Sequence, residues 1–209
     1  MTPVWQGRIR YHWAWELQNL RRDAIIAGRA DEAFWLLEHD SVITTGRRAV
    51  DDLPSAAVLA DRGIDSHHTE RGGLATWHGP GQLVGYLMLD LPRRGLKVRE
   101  LVCAVEAGII DWLHGAGIEA HRRSGYPGVW VGKNKLCAVG MHFRRGVSMH
   151  GFALNLTPSL DAYEWFTPCG ITDGGVTTVA IERGDAPTPA QAWRAVSECV
   201  IAAIDAECR

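Results

Sequence analysis

A continuous apolar run that ends at a proline is the feature that most constrains the fold of this chain. The run is "GQLVGYLMLDL", residues 81–91, and Pro92 follows it. Such runs are typical of a central strand covered on both faces, because a half-exposed strand alternates apolar and polar residues. We therefore expect a sheet with packed layers on both of its sides.

Apolar residues recur at helical spacing in several segments around this strand. The predicted helices cover residues 13–30, 53–63, 98–113 and 188–208. In the first helix, the face expected to pack on the core consists of Trp13, Leu17, Leu20, Ala24 and Ile25. In the last helix, Thr188 is a predicted N-cap and Pro189 occupies the first helical position.

Short apolar or alternating runs predict the remaining strands. These cover residues 33–39, 42–45, 65–70, 128–132, 136–143, 147–156 and 176–182. Arg145-Gly146 interrupts two of these runs as a hairpin turn would. Neither a linker nor an internal repeat divides the sequence, so we expect one α/β domain over residues 1–209, with helices flanking hairpin-like strands.

Composition and charge exclude several classes of protein. Apolar residues make up 46% and charged residues 22%, as in an ordinary globular domain. The formal net charge of -2 provides no basic surface for nucleic acid. No window reaches the roughly eighteen apolar residues of a membrane span, and the opening residues lack the apolar region of a signal peptide. We therefore expect a cytoplasmic protein that does not enter the membrane.

Cysteine and arginine usage gives two further constraints. Five cysteines without a CxxC pair argue against a disulfide framework and against a four-thiolate zinc site. Arginine dominates the basic residues, since the chain has three lysines, at positions 97, 133 and 135. Five Arg-Arg pairs could form a patch for an acidic partner, or they could be solvated surface charges.

The densest glycine region is "RGGLATWHGPGQLVGY", residues 71–86. Its glycines allow a ligand to approach the main chain closely. The region does not match the P-loop pattern, and GxGxxG cannot be placed on a strand-to-helix turn here. A pair of turns joining strands is the alternative, although Arg71 and His78 exceed what a turn requires.

A candidate nucleophile lies in "FTPCGI", where Cys169 is flanked by Pro168 and Gly170. This setting favours a presented thiol that a substrate carbonyl can approach, whereas the alternative of a buried, inert thiol suits Cys103 and Cys199. A thiolate needs a cationic or basic partner, and lysine can exchange a proton where arginine cannot.

Two lysines could be that partner. Lys135 directly precedes an apolar strand, where it could be partly desolvated, but Lys133 would face the same side of an extended segment, so spacing leaves both open. A metal site is a further alternative, with ligands Cys137, His142, His150 and Cys169. Because these spacings match no zinc pattern, we expect neither a metal nor another cofactor.

Four segments taken together resemble a known family, the lipoate-biosynthesis octanoyltransferases. The segments cover residues 36–47, 71–91, 128–156 and 168–178. The resemblance implies the fold of biotin and lipoate protein ligases, an α+β architecture with a mixed, largely antiparallel sheet and flanking helices. It also implies that Cys169 carries the acyl group and that Lys135, rather than Lys133, is its partner.

The same resemblance implies a set of substrate-binding residues in three segments. They are Arg71, Gly72, Gly73, Leu74, Ala75, Thr76, Trp77, His78, Ala138, Val139, Gly140, Gly151, Phe152 and Ala153. The sequence departs from the family at Leu74, where glutamine is usual, at Trp77, where tyrosine is commoner, and at Cys137, where a small or aliphatic residue is usual. These departures concern the shape of the pocket.

The implied reaction is a two-step acyl transfer. Cys169 takes the octanoyl group from octanoyl-acyl carrier protein and passes it to the lysine of a lipoyl domain, in the E2 subunits of 2-oxoacid dehydrogenases or in the glycine-cleavage H protein. We expect a monomer that needs no ATP. The alternatives are an ATP-dependent lipoate or biotin ligase of the same fold, a cysteine hydrolase that uses His78 or His150, and a non-catalytic acyl-binding module.

Overall fold

The computed structural model describes residues 1–48, 53–165 and 173–208. The strands within these ranges are β1 (Pro3–Ile9), β2 (Ala33–His39), β3 (Val42–Thr45), β4 (Asp65–His68), β5 (Ala75–His78), β6 (Gln82–Met88), β7 (His121–Arg123), β8 (Tyr126–Val131), β9 (Asn134–Arg144) and β10 (Val147–Asn155). The helices are α1 (Tyr11–Ile26), α2 (Ala56–Ala60), α3 (Leu91–Arg94), α4 (Val98–Gly115), α5 (Val179–Arg183) and α6 (Pro189–Glu207), and a 3₁₀ turn covers Asp161–Trp165.

The strands form two sheets. The larger has the order β1-β2-β6-β10-β9-β8-β7, and the smaller has the order β4-β3-β5. In the larger sheet β1 runs parallel to β2 and the other neighbours are antiparallel. The predicted mixed, largely antiparallel sheet is therefore confirmed.

Strand β6 is covered on both faces, as the apolar run predicted. All seven of its residues are buried. Leu83 and Leu87 join a core with α4 and α6, whereas Val84 and Tyr86 join a second core with α1. The two faces thus bury different helices, and burial of each aliphatic side chain contributes about 1.5–3 kcal/mol.

The predicted inner face of α1 is wrong at three of its five positions, whereas Ile25 is buried as predicted. Trp13, Leu17 and Leu20 are 58%, 47% and 69% exposed, while the buried positions include Gln18 and Arg22. These two polar side chains reach β10, because Gln18 Oε1 accepts from the backbone N–H of His150 at 2.9 Å and Arg22 Nη1 lies 3.3 Å from Met149 Sδ. Hydrogen bonding across the interface, together with the apolar contacts of Ala14 and Ile25, thus defines the face that packs.

The predicted strand 176–182 is also wrong, because α5 begins within it at Val179. The Thr178 hydroxyl accepts from the backbone N–H of Ile181 at 3.1 Å and caps this helix. Only Val176 makes a strand-like bridge, which pairs it with Lys135. The N-cap thus outweighs the β propensity of the valines and threonines.

Other elements agree with their predictions, with ends that differ by a few residues. The hairpin at Arg145-Gly146 is confirmed, with φ of 49° and 82° at its two residues, as a tight I′ turn requires. The side chains of Thr188 and Gln191 cap α6. Strand β1 has no counterpart among the predictions. No helix within the described ranges is long and apolar enough to cross a membrane.

Helix α4 packs so closely on α6 that Gly108 has no room for a side chain. A methyl group there would lie 2.5 Å from Val200 Cα and 2.7 Å from Cys199 O, whereas one on Gly115 would meet nothing within 4 Å. We expect Gly108→Ala to lower the free energy of unfolding by about 1–3 kcal/mol through overpacking against backbone. The matched Gly115→Ala should be neutral or raise it by up to about 1 kcal/mol. Urea denaturation compares the two, and equal effects would contradict the close approach.

Candidate active site

A cavity of about 50 Å³ lies where strands β5, β6, β9 and β10 meet the start of α1. Eleven of the fourteen predicted substrate-binding residues line it, the exceptions being Leu74, Ala75 and Trp77. Lys135 lines it as well. Three separate segments of the sequence therefore converge on one cavity.

Strand alternation explains why part of the 71–78 segment turns away. Thr76 and His78 line the cavity, while Ala75 and Trp77 point into a separate cluster around Ile43. Trp77 Nε1 donates to Ser41 Oγ at 2.8 Å. Leu74 precedes the strand, and its carbonyl accepts from the N–H of Gly46 at 3.1 Å. These three residues support the wall from behind.

Glycines give the cavity its depth where β9 and β10 pair. Gly140 lies opposite Gly151 in the register. A methyl group on Gly151 would overlap the carbonyl oxygen of Gly85 on β6, so no larger residue fits there. The N–H of Gly72 donates to Met141 O at 3.1 Å, which holds the glycine segment against β9.

The Arg71 side chain donates hydrogen bonds to nearby backbone carbonyl groups. It is 6% exposed, and its guanidinium donates to Thr44 O at 2.6 Å and to Gly72 O at 3.0 Å. These bonds brace the 71–73 segment on β3. The main contribution of Arg71 to the site is therefore to fix the glycine backbone.

The structure distinguishes the two candidate lysines. Lys133 lies exposed in the turn between β8 and β9, whereas Lys135 is 7% exposed and lines the cavity. Its Nζ donates to Pro127 O at 3.2 Å and lies 4.9 Å from the ring centroid of Trp130. Trp130 is itself fully buried. The ammonium is thus held between a carbonyl and an aromatic face.

Cys169 lies outside the described residues, but the segment that follows it is anchored beside Lys135. The N–H of Lys135 donates to Gly175 O at 2.8 Å, and its carbonyl accepts from the N–H of Thr177 at 3.0 Å. Gly175 in turn donates to Asn134 Oδ1 at 3.0 Å. The start of β9 and the segment 175–177 therefore form one unit.

The other cysteines lie away from the cavity lining. Cys137 is fully buried, and burial raises the pKa of its thiol far above the usual range. Cys103 and Cys199, which the buried, inert alternative was expected to suit, are half-buried, and Cys208 is exposed. Among the described residues, no group of three or more His, Cys, Asp or Glu side chains is arranged to hold a metal ion.

Tyr11 and Tyr86 line the cavity although neither is among the predicted site residues, and His150 lines it too. Tyr86 lies on the central strand opposite Gly151, and Tyr11 opens α1. Only the packing of α1 on the sheet brings them together. The sequence offers one signal for Tyr86: a tyrosine within the apolar run 81–91 needs a hydrogen-bond partner, which indicates a polar group buried beside that strand.

The partner of Tyr86 is His39, and its geometry fixes the proton positions. His39 Nδ1 lies 2.7 Å from Ile9 O, which can only accept, so Nδ1 carries the hydrogen. His39 Nε2 is then an acceptor, and the Tyr86 hydroxyl donates to it at 2.7 Å. Burial lowers the pKa of His39 to about 4, so the ring is neutral.

A second chain of hydrogen bonds orients His78. Asn155 Nδ2 donates to Thr177 O at 3.1 Å, so Asn155 Oδ1 is free to accept from Gln82 Nε2 at 2.8 Å. Gln82 Oε1 then accepts from His78 Nδ1 at 2.7 Å. Burial holds the pKa of His78 well below its usual value, which keeps this imidazole neutral.

His150 is held in a strained conformation, with φ of 62°. Its Nε2 lies 3.7 Å from Glu70 Oε1. Burial of Glu70 opposes ionisation, but His150 and the Trp15 indole, which donates at 3.1 Å, lower the pKa of this carboxyl to about 2. A permanently ionised Glu70 thus lies behind the cavity wall.

The neutral state of His39 makes stability depend on pH. Its pKa is about 4 in the folded chain and about 6.5 in an unfolded chain, so the unfolded chain gains the proton first as pH falls. We expect this group to remove about 3 kcal/mol of stability between pH 6.5 and pH 4. In His39→Asn the slope of unfolding free energy against pH should decrease by up to one proton. Urea denaturation at several pH values measures it, and an unchanged slope would contradict a buried neutral His39.

Comparisons with known proteins give the family. Residues 10–201 match the family described as "Lipoyl protein ligase A/B catalytic domain". An octanoyltransferase of Chloroflexus aurantiacus is 40% identical over 209 residues, which cover 98% of this chain and 92% of that protein.

Two solved structures support the fold alone, because their sequence identities are low. A lipoate-protein ligase A bound with ATP has a TM-score of 0.71 at 14% identity, covering 99% of this chain and 85% of that one. A biotin protein ligase from Aquifex aeolicus has a TM-score of 0.61 at 10% identity, covering 98% and 70%. The predicted ligase-like fold is confirmed. The chain therefore belongs to the lipoyl protein ligase A/B catalytic domain family and, within it, to the octanoyltransferases, enzymes that transfer an octanoyl group in lipoate biosynthesis.

Proposed function

We propose that the octanoyl group passes through a thioester on Cys169, with Lys135 as the group that exchanges protons. The observation that carries this proposal is the position of Lys135, whose amine is buried in the cavity while its backbone is bonded to the segment after Cys169. A buried lysine beside a cavity is a candidate for proton transfer, because its charge can change where an arginine's cannot.

Covalent reach supports the pairing of the two residues. Cys169 lies six positions before Gly175, which is bonded to the backbone of Lys135. Six steps along the chain span at most about 21 Å, so the chain length permits the thiol to approach the amine while 175–177 stay in place. On the other side of the loop, the Tyr163 hydroxyl donates to Trp77 O at 3.3 Å, which ties residue 163 to the wall of the cavity.

In the first step the Cys169 thiolate attacks the thioester carbonyl of the octanoyl donor. The new C–S bond forms to Cys169, the donor C–S bond breaks, and the departing sulfur takes a proton from the Lys135 ammonium. In the second step the amine of the acceptor attacks the acyl-Cys169, Lys135 removes its proton, and the Cys169 thiolate leaves. The product is an amide, and no ATP is consumed because the donor thioester is already activated.

The cavity provides an apolar slot for the octanoyl chain. Ala138, Val139, Phe152 and Ala153 line it on β9 and β10. Burial of the alkyl carbons of the octanoyl chain, about six methylenes and a terminal methyl at about 0.8 kcal/mol each, supplies roughly 5–6 kcal/mol of binding energy. This energy favours a medium chain over an acetyl group.

The proposed partners follow from this chemistry. The donor is octanoyl-acyl carrier protein, and the acceptors are lipoyl domains, in E2 subunits of 2-oxoacid dehydrogenases and in the glycine-cleavage H protein. Two observations on relatives support the acceptor class: a similar protein is an octanoyltransferase, and a chain of similar fold is a lipoate-protein ligase.

Intact-protein mass spectrometry tests the covalent step. After incubation with octanoyl-acyl carrier protein we expect one octanoyl group, which hydroxylamine removes, and none in Cys169→Ala. Cys208→Ala is the matched control, because Cys208 is exposed and distant in sequence from the loop. An adduct that persists in Cys169→Ala would overturn the proposal, and AMP release that depends on free octanoate would assign the chain to the ligases.

Lys135→Arg tests proton transfer. The variant keeps a positive charge but cannot exchange a proton, so we expect kcat to fall by about 10²–10⁴. Lys133→Arg, in the exposed turn two residues earlier, should retain turnover within a factor of a few. Near-normal kcat in Lys135→Arg would leave this lysine with an electrostatic role only.

A further inference from the structure

We infer that Tyr11, His78 and Tyr86 form an aromatic end wall that sets the length of the acyl chain. This end wall closes the slot opposite Lys135. The inference rests on the proposed function, because it assigns to these rings the part of the substrate farthest from the reacting carbonyl.

The strand register gives the order of residues along the slot. Ala138, Ala153 and Val84 lie in one row across β9, β10 and β6, and Gly140, Gly151 and Tyr86 lie in a row two residues farther on. Lys135 lies three residues before the first row. Tyr86 therefore belongs to the end of the cavity that is remote from the amine.

The distances along β9 fit a medium-length chain. Gly140 lies five positions after Lys135 on β9, which corresponds to about 17 Å at a rise of about 3.4 Å per residue. An extended chain advances roughly 1.2 Å per bond, so the seven carbon–carbon bonds of an octanoyl group span roughly 8–9 Å. The remaining length, about 8 Å, is available to the Lys135 side chain and to the thioester.

Tyr11 and its neighbours close this end from the α1 side. The Tyr11 ring is 4% exposed and stacks on His78, with 5.9 Å between centroids and 8° between planes. Its centroid also lies 5.1 Å from that of His39, the ring to which Tyr86 donates. The rings are thus held in one contact group that a chain terminus would meet.

Side chains that look polar can form an apolar stop here, because their polar atoms already have partners within the protein. The Tyr86 hydroxyl is bonded to His39, and His78 Nδ1 is bonded to Gln82. Burial also keeps both imidazoles uncharged. A terminal methyl group that meets these two side chains therefore leaves both of these hydrogen bonds in place.

Substitution of Tyr11 tests the end wall. We expect Tyr11→Ala to lengthen the slot, so that the ratio of kcat/KM for dodecanoyl over octanoyl thioesters rises at least tenfold. Tyr11→Phe, which keeps the ring, should retain the wild-type ratio. Trp13→Ala is the matched control, because Trp13 lies on the outer face of the same helix and is 58% exposed.

Gly140→Ala provides an independent test in the opposite direction. The added methyl group would lie 3.4 Å from Gly72 O and 3.7 Å from Arg71 Cδ, ordinary contacts with two residues of the lining, so the fold can accept it. It narrows the slot in the row of Tyr86. We expect the ratio of kcat/KM for hexanoyl over octanoyl thioesters to rise at least tenfold.

The outcomes separate the inference from the proposed function. Folded Tyr11→Ala and Gly140→Ala enzymes with wild-type ratios would overturn the end wall, while acyl-Cys169 would still form. If Tyr11→Ala does not fold, Gly140→Ala decides alone. Absence of acyl-Cys169 from the wild-type enzyme with every chain length would instead overturn the proposed function.

Discussion

The backbone pairing between Lys135 and residues 175–177 is the constraint on which the site depends. These hydrogen bonds hold the backbone of Lys135 at the cavity. They also hold Gly175, six positions after Cys169, next to Lys135. The Lys135 side chain lies between Pro127 O and the ring of Trp130. Under the proposed function this anchor brings Cys169 to Lys135. The two bonds that the backbone of Lys135 makes to Gly175 and Thr177 are main-chain hydrogen bonds, which side-chain substitution does not remove.

The rest of the architecture leaves a cavity inside a packed sheet, and under the proposed function this cavity holds the acyl chain. Gly140 and Gly151 leave the middle of β9 and β10 without side chains. Helix α1 packs on the sheet with the polar residues Gln18 and Arg22 buried. In this orientation of α1 some apolar side chains stay in solvent on its outer face, where Trp13 is 58% exposed. The hydrogen bond that Gln18 Oε1 accepts from the backbone N–H of His150 helps to hold the helix in this orientation, and the helix places Tyr11 in the cavity lining.

Local signals predicted the elements that local chemistry determines. The apolar run 81–91 became a strand buried on both faces, Arg145-Gly146 became a turn, and Thr188 capped α6. The wrong predictions concern features that depend on contacts with residues distant in the sequence. The inner face of α1 depends on partners on β10. Residues 176–182 divide between a bridge to Lys135 and helix α5. Periodicity could not choose between the two lysines either, whereas the resemblance chose Lys135, and the structure places that residue in the cavity. The place of Tyr11 beside Tyr86 in the cavity lining could not be found from the sequence, because it depends on how α1 packs on the sheet.

The titration of Cys169 tests the central claim, that its sulfur and the Lys135 amine act as a pair, most directly. The rate of alkylation of the peptide that contains Cys169, followed by mass spectrometry from pH 5 to pH 10 in the wild-type enzyme and in Lys135→Met, gives the thiol pKa in each. We expect a thiol pKa below the usual value of about 8.5 in the wild-type enzyme and a clear rise in Lys135→Met. Identical titration curves in the two proteins would contradict it.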